Sequence, residues 1–301
     1  MATPAASREQ QAAQTGLIVL MLREIAGTWR LLDPARLAGS MPRWVTAVNG
    51  IIGRYGQAAG AMALDYYDVE RDAAGVPGRA PATLLREPDP EQVESSLRWA
   101  TKNLWDQELL DNAAALEREL EQIAREEEAA IADLADLDED DLAEIGEDRL
   151  DDEISESELE PGLGDVEGQA RASRVKVDGI ASRLVADVGR GAIVDSVAED
   201  RAAVAVARMA APDACAFCRV MAIRGAVYKD EQTAGRAANS KFVGAGEFKY
   251  HDHCRCWAAP VFDGEEWQPQ PQIELWERQY RQARAMRGDT LANFHRLLRV
   301  S

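Results

Sequence analysis

The sequence predicts a mostly α-helical protein with long helices and a small α+β module in its C-terminal half. Apolar residues recur at helical spacing along most of the chain. All four cysteines and two of the three histidines fall in two short clusters between positions 213 and 257. A tract of acidic residues separates the N-terminal helices from this region. These observations predict four segments: an N-terminal helical domain (1–125), an acidic linker or interaction arm (126–167), a Cys/His module with its leading helix (168–262) and a C-terminal helical tail (263–301).

The first two helices of the N-terminal domain are predicted from their apolar spacing. Residues 1–7 are small and polar, and we expect them to be disordered. A broad apolar face predicts a first helix over 8–32, and a second face predicts another over 43–71. Pro34 and Pro42 are expected to mark the boundary between them. Small residues of the second helix, including Gly56 and Gly60, predict a face that another helix can approach closely.

The third helix follows a loop rich in glycine and proline, predicted over 75–90. Asp89 followed by Pro90 is a typical start, because aspartate caps the helix and proline suits its first position. We expect this helix to continue to residue 124. Trp99 and Trp105 are expected to pack in the core, which is the commoner place for large aromatic side chains, rather than to bind a ligand.

The acidic segment 126–167 accounts for the net charge of the whole protein. It holds 20 acidic residues and one basic residue, so its formal charge equals the −19 of the entire chain. Such charge density favours a solvated, partly disordered linker. Leucine and isoleucine nevertheless recur between the acidic residues, which favours an arm that becomes helical against a basic partner or mimics nucleic-acid charge. Both interpretations stay open, although phosphate attraction requires cations and the segment cannot bind DNA by itself.

The Cys/His module is predicted to begin with helical character over 168–210, with a bend or break at Gly189 and Gly191. A small antiparallel sheet with the Cys/His site at one end is expected after it. The elements predicted there are a strand over 224–228, a helix over 231–240, a glycine turn leading to a strand over 242–250, and a strand over 257–262.

The clustered cysteines and histidines predict a cross-link between the two ends of the module. Thiolate and imidazole are the usual zinc ligands, and a structural site needs four of them in a tetrahedron. We expect Cys215, Cys218 and Cys256 to bind Zn²⁺ together with one of His251, His253 or Cys254. Two disulfides or plain buried thiols are the alternatives, and disulfides would need an oxidising compartment.

The order of these residues resembles the core signature of the Mu protein F-like head morphogenesis proteins, the minor capsid proteins of tailed phages. The signature is D-x-C-x-x-C, a variable insert, and H-x-x-C-R-C. The matching residues are Asp213, Cys215, Cys218, His251, Cys254, Arg255 and Cys256. His253 is an additional ligand candidate that the plain signature lacks.

The resemblance implies a structural protein of the virion, present in several copies at the portal or the inner side of the shell. It implies roles in head assembly and in DNA packaging or ejection, with portal, major capsid or scaffold proteins as partners. The alternative is a metal-dependent nuclease that uses His251, Asp252 and His253. Against an enzyme, four cysteines favour a closed structural zinc over an open catalytic one.

The tail is predicted to form two helices over 272–300, the second capped by Asp289 and Thr290. Four arginines recur along the first of them: Arg278, Arg281, Arg284 and Arg287. This row is either a solvated face or a surface that docks on an acidic partner or on packaged DNA.

Gly16 to Leu22 is apolar but lacks the features of a signal peptide, so we expect folding in the host cytoplasm, where thiols stay reduced.

Overall fold

The computed structural model describes residues 4–105, 113–132, 166–211, 214–226, 252–254, 256–263 and 272–298. Within these ranges it contains eight α-helices, which confirms the prediction of a mostly helical fold. Their bounds are α1 Pro4–Thr28, α2 Leu37–Ala73, α3 Pro90–Ala100, α4 Ala113–Ala132, α5 Val166–Glu199, α6 Ala216–Ile223, α7 Ile273–Ala285 and α8 Thr290–Leu298. Strands β1 (Ala203–Met209) and β2 (Trp257–Phe262) form the small antiparallel sheet.

The chain divides into two compact units that interleave along the sequence. The helical unit comprises residues 12–59 and 87–188, and the cysteine unit comprises residues 1–11, 60–86 and 189–301. Helices α1, α2 and α5 contribute residues to both. The four predicted segments of the chain stay a prediction.

The helical unit has an apolar core built from facing sides of its helices. Trp29 and Trp44 lie at the centre, with ring centroids 5.2 Å apart, and both side chains are fully buried. Paired aromatic rings of this kind stabilise a core beyond the area they bury. The core also includes Met21, Ile25, Ile52, Val93, Leu97, Leu116, Leu120, Ile123, Val177, Ile180 and Leu184.

The helix boundaries differ from the predicted ones at the start of the chain. Helix α1 begins at Pro4, so the expected disorder is wrong for residues 4–7. Ala6 and Ser7 are buried, and the Ser7 hydroxyl lies 3.4 Å from that of Tyr66, which ties this end into the cysteine unit. Pro42 lies inside α2 instead of before it. Proline has no N–H to donate to the Ala38 carbonyl at this position, a cost that the buried side chains of Met41, Trp44 and Val45 around it offset.

Helix α3 starts as predicted but ends earlier. The Asp89 side chain accepts a hydrogen bond from the Glu91 N–H, and Pro90 occupies the first turn. The continuation to residue 124 is wrong, since the helix ends at Ala100 and a 3₁₀ turn follows over 102–105. Thr101 is buried, and its hydroxyl donates to the Leu97 carbonyl, a local bond that competes with helix propagation.

Trp99 is also not where the sequence predicted. Its side chain is 48% exposed, with the ammonium groups of Lys102 and Lys176 at 5.7 and 5.5 Å from the ring centroid. These cations interact favourably with the ring and make its exposure less costly. The side chain of Trp105 lies outside the described residues.

In the cysteine unit, β1 replaces a predicted helical stretch. Residues 203–209 pair antiparallel with 257–262, from Ala203 opposite Phe262 to Met209 opposite Trp257. The predicted strand at 257–262 is therefore confirmed, and the predicted helix over 203–209 is wrong. Valine alternates with alanine in β1, a pattern typical of a strand with two different faces.

Helix α5 continues through Gly189 and Gly191, so the predicted break is wrong. Each glycine costs a helix about 1 kcal/mol relative to alanine. Buried side chains on both sides of the glycines, including Val188, Arg190 and Ile193, hold this stretch in the helix. Tertiary packing therefore overrides local propensity here.

The predicted loop between α2 and α3 is present and is anchored to the cysteine unit by polar contacts. Arg86 binds Asp195 of α5 through two parallel hydrogen bonds of 2.9 and 2.8 Å. Thr83 and Ser196 share a hydroxyl hydrogen bond of 2.8 Å. The side chain of Leu85 fills the space beside Gly60 of α2.

The two predicted tail helices are confirmed as α7 and α8, and the Asp289 carboxylate accepts from the Ala292 N–H at the start of α8. The expected strand over 224–228 is wrong where it is described, because residues 224–226 form a turn after α6. The helix predicted over 231–240 and the strand over 242–250 lie outside the described residues. Most of the acidic segment does too. No described helix has both the length and the apolar character needed to cross a membrane.

Candidate metal centre

The C-x-x-C half of the site is built on the start of helix α6. Cys215 is the N-cap residue, and its sulfur accepts a hydrogen bond from the Cys218 N–H at 3.4 Å. The first N–H groups of a helix have no partner within the helix, so a sulfur at this position satisfies one of them. The same N-terminus favours negative charge, which suits a thiolate. This geometry puts both sulfurs at one end of α6.

The second half of the site lies immediately before β2. Cys254 and Cys256 are buried, and Trp257 begins the strand. Arg190 of α5 reaches this segment from the side: its Nε donates to the Cys256 carbonyl at 2.8 Å and its terminal nitrogen to the Cys254 carbonyl at 2.7 Å. His253 has a φ of 60°, a left-handed conformation uncommon outside glycine. The chain therefore turns sharply just before the two cysteines.

The two halves, far apart in the sequence, meet in one cluster of sulfurs. The Sγ atoms of Cys218, Cys254 and Cys256 all lie within 4.8 Å of one another. The Sγ atoms of Cys218 and Cys254 are 3.4 Å apart, and the Cys215 side chain interacts with that of Cys218. A disulfide bond is about 2.05 Å long. All four cysteines are free thiols in this structure.

The donor set fits a metal ion that prefers sulfur. Four thiolates at about 2.3 Å from a tetrahedral Zn²⁺ would stand about 3.8 Å apart. The 3.4 Å between the Cys218 and Cys254 sulfurs, and the limit of 4.8 Å on the other separations, are compatible with this spacing. Cys218, Cys254 and Cys256 therefore form a buried group that could hold a metal ion. Within the described ranges, this is the one group of three or more potential ligands that meets these distances.

The electrostatics of the cluster follow from burial and mutual contact. Hydrogen bonds with the other cysteine thiols, followed by burial, raise the pKa of the Cys218 thiol well above its usual value. Burial raises the pKa of the Cys256 thiol as well, while the positive charge of Arg208 opposes that rise. A bound cation would reverse this balance, because metal binding stabilises thiolates and releases their protons.

Of the six predicted ligands, the structure clusters three cysteines and places Cys215 and His253 beside them. Cys254, predicted as one of three choices for a single place, lies in the cluster beside Cys218 and Cys256. Cys215 borders the cluster through Cys218, and His253 is half-buried on the turn next to it. His251 lies outside the described residues, as do Asp213 and Arg255 of the signature.

Arg190 and Arg208 are site residues that the sequence analysis missed. Both are almost fully buried, at 1% and 2% exposure. Nothing in the sequence near positions 190 and 208 distinguishes them from surface arginines of a helix. Only the pairing of β1 with β2 and the course of α5 bring them to the cysteines.

Comparison with known protein families gives a match over most of the chain. The model of a family described as VG15 protein matches residues 1–283. No curated protein and no solved structure shows significant similarity to the chain.

Proposed function

The chain belongs to the VG15 protein family, a family of phage proteins, and on this basis we propose that it is a structural minor capsid protein of a tailed phage. It acts in head assembly at the portal or the inner side of the shell. Its partners are portal, major capsid or scaffold proteins. The narrower resemblance to the Mu protein F-like proteins stays a prediction and supports the same role.

One observation carries this proposal: the two halves of the head-morphogenesis signature come together in space. Cys218 belongs to the first half and Cys254 to the second, and their sulfurs are 3.4 Å apart. A shared centre gives a small module rigidity without a large core. Rigid modules joined to long helices suit a protein that holds partners in fixed places in a particle.

We further propose that the centre holds a structural Zn²⁺. The cluster is buried, consists of sulfur ligands, and lies at a helix N-terminus, which together favour a closed site over a catalytic one. Purified protein should contain about one zinc per chain with four alkylatable thiols after chelation. Protein with two intact disulfides and no zinc would contradict this assignment.

The arginine row on α7 and the segment after it is proposed as the contact to packaged DNA. Arg278, Arg281, Arg284 and Arg287 are all exposed, and Glu277 lies within 3.8 Å of Arg281. Because the whole chain is acidic, such binding should be weak and strongly dependent on salt. Replacing Arg278 and Arg284 by alanine should lower duplex-DNA affinity in fluorescence anisotropy at low salt. An unchanged affinity would leave the row as a solvated face.

Particle assembly tests the structural role. A phage with a nonsense mutation in the gene for this chain would be complemented with the wild type, a C218S/C256S double variant or H295A. His295 lies in α8 and serves as a control for substitution in the same chain. We expect the wild type and H295A to restore DNA-filled heads containing the chain, and the double variant to restore few. Full heads that lack the chain would contradict the proposal.

A DNA-cleavage assay distinguishes the nuclease alternative from the structural role. Purified wild-type protein, H253A and H295A would be incubated with plasmid DNA and divalent metal ions. A structural protein should give no cleavage above background with any of the three. Cleavage that H253A loses and H295A retains would replace the structural proposal with the nuclease.

A further inference from the structure

Two arginines that no motif assigns bring positive charge to the cysteine centre. Arg190 comes from α5 and donates to the carbonyls of Cys254 and Cys256. Arg208 comes from β1, where its guanidinium lies 5.8 Å from the ring of Phe217, between the two cysteines of C-x-x-C. The charge of Arg208 acts on the Cys256 thiol. Arg190 therefore contacts the second half of the site, and Arg208 lies near residues of both halves.

The contacts of Arg190 fix the backbone that carries two of the sulfurs. A guanidinium presents several N–H donors in a rigid fork, so it can hold two carbonyls in a set relation. The carbonyls it binds are those of the two ligand candidates themselves, at 2.7 and 2.8 Å. Groups that hold metal ligands from outside typically change metal affinity 10- to 100-fold when removed.

The charges also bear on which four ligands are used. A divalent ion with four thiolates has a net charge of −2, and two guanidiniums balance it. Three thiolates with one neutral histidine would leave a net −1 against the same two cations. Buried charge is costly unless it is balanced, so two arginines favour four sulfurs.

We propose that Arg190 is a positioning residue that assembles the Cys254–Cys256 half of the centre before metal binds, and that Arg190 and Arg208 select a four-thiolate site of Cys215, Cys218, Cys254 and Cys256. This inference rests on the proposed metal-binding role of the cluster. It assigns no ligand role to His251 or His253.

Cobalt titration of the reduced, metal-free protein tests the proposal. Co²⁺ reports the number of thiolates through its sulfur-to-metal charge-transfer absorption and its tetrahedral geometry through its visible bands. We expect C215S to lose about a quarter of the charge-transfer intensity, and H253A to keep all of it. Full intensity in C215S, or a loss in H253A, would overturn the four-thiolate set.

The role of Arg190 is tested by affinity. R190M should bind Co²⁺ about 10- to 100-fold more weakly with an unchanged spectrum at saturation. R190K should be intermediate, since one ammonium cannot reproduce the fork, and it serves as the test if R190M does not fold. R71M is the matched control, because Arg71 is a buried arginine of the same unit with carboxylate and carbonyl partners away from the cysteines.

The outcomes distinguish the positioning role of Arg190 from the metal-binding role of the cysteine cluster. Wild-type affinity in R190M or R190K overturns the positioning role and leaves the metal site intact. An equal loss in R71M overturns it too, because the effect would then be one of general stability. A wild-type protein that binds no Co²⁺ removes the metal centre itself. None of these results bears on the presence of the chain in phage heads.

Discussion

At the residue scale, Asp200 is a buried charged group of the cysteine unit that joins several segments of the chain. Its carboxylate accepts from Arg71 at 2.7 Å, from the Tyr67 hydroxyl at 3.1 Å and from the Ala202 N–H at 3.0 Å. Burial alone would raise the pKa of Asp200, but these hydrogen bonds hold it below its usual value. Arg71 in turn donates to the carbonyls of Val76 and Gly78, so the pair joins α2, the loop after it and the end of α5.

Replacing Asp200 by asparagine should destabilise the protein by about 3 kcal/mol at pH 7, because it leaves the buried Arg71 charge without its carboxylate. A carboxylate with a lowered pKa contributes stability above its ordinary pKa and loses that contribution as the pH falls through its folded value. The difference between D200N and wild type should therefore shrink below about pH 4. Urea unfolding from pH 7 downwards measures it.

The control for this substitution is E94Q. Glu94 forms an exposed i,i+4 pair with Arg98, and such pairs contribute less than about 1 kcal/mol. We expect E94Q to change the free energy of unfolding little at any pH. A D200N effect that is small at pH 7, or one that grows toward acid pH, would contradict the role given to Asp200.

Residues were predictable where the reason for their placement is local. Asp89 and Asp289 were identified as caps because a helix start needs a side-chain acceptor within three residues. The exposed position of Trp99 was not predicted, because it depends on Lys176, which lies 77 positions away in the sequence. Arg190 was missed for the same reason: the carbonyls it binds lie more than 60 residues further along the chain.

At the element scale, the glycines of α2 offer a test of helix propensity against packing. Gly50 is exposed, and a Cβ added there would meet no atom within 4 Å. Gly60 lies on the same helix, but an added Cβ would stand 2.7 Å from a methyl carbon of Leu85. The two positions share the helical backbone conformation but differ in the room available for a side chain.

We expect G50A to raise the free energy of unfolding by about 0.5–1 kcal/mol, since alanine is the better helix former and the unfolded chain loses freedom. G60A should gain nothing or destabilise, because Leu85 must move and the loop over 75–89 is anchored nearby. Thermal and urea unfolding of both variants measure the contrast. Equal stabilisation by G50A and G60A would show that Leu85 yields without cost.

Helices and strands were predicted correctly where the apolar periodicity was strong, and wrongly where pairing with a distant segment determines the secondary structure. The facing sides of α1 and α2 and the pair α7 and α8 follow from helical spacing alone. Strand β1 was predicted as helix because its short alternation of valine and alanine follows directly after a long helical pattern. Its partner β2 lies about 50 residues later in sequence, and pairing with it decides the outcome.

At the scale of the whole molecule, apolar spacing predicted a mostly helical fold and the distribution of charged residues located the net charge, while the interleaving of two units could not be deduced from the sequence. The units exchange chain segments at residues 11, 59, 86 and 188, and of these points only residue 86 lies in a loop rich in glycine and proline. The other three lie inside helices α1, α2 and α5. Contacts between distant segments, which a single sequence does not display, define such units.

The stretch 133–165 carries 16 of the acidic residues, a charge density that favours a solvated segment over one packed in a core. We therefore expect stability and metal content to be independent of its charge. Changing every Asp to Asn and every Glu to Gln in 133–165 keeps the length and moves the formal net charge from −19 to −3. The melting temperature and the zinc content should stay those of the wild type, whereas solubility near neutral pH should fall as the net charge approaches zero. Neutralising Glu94 of α3 together with Glu117 and Glu121 of α4 is the control for removing exposed carboxylates from described helices. Loss of the folded state on neutralising 133–165 alone would mean that its carboxylates bind the folded units, and the interaction arm would then have its partner within this chain.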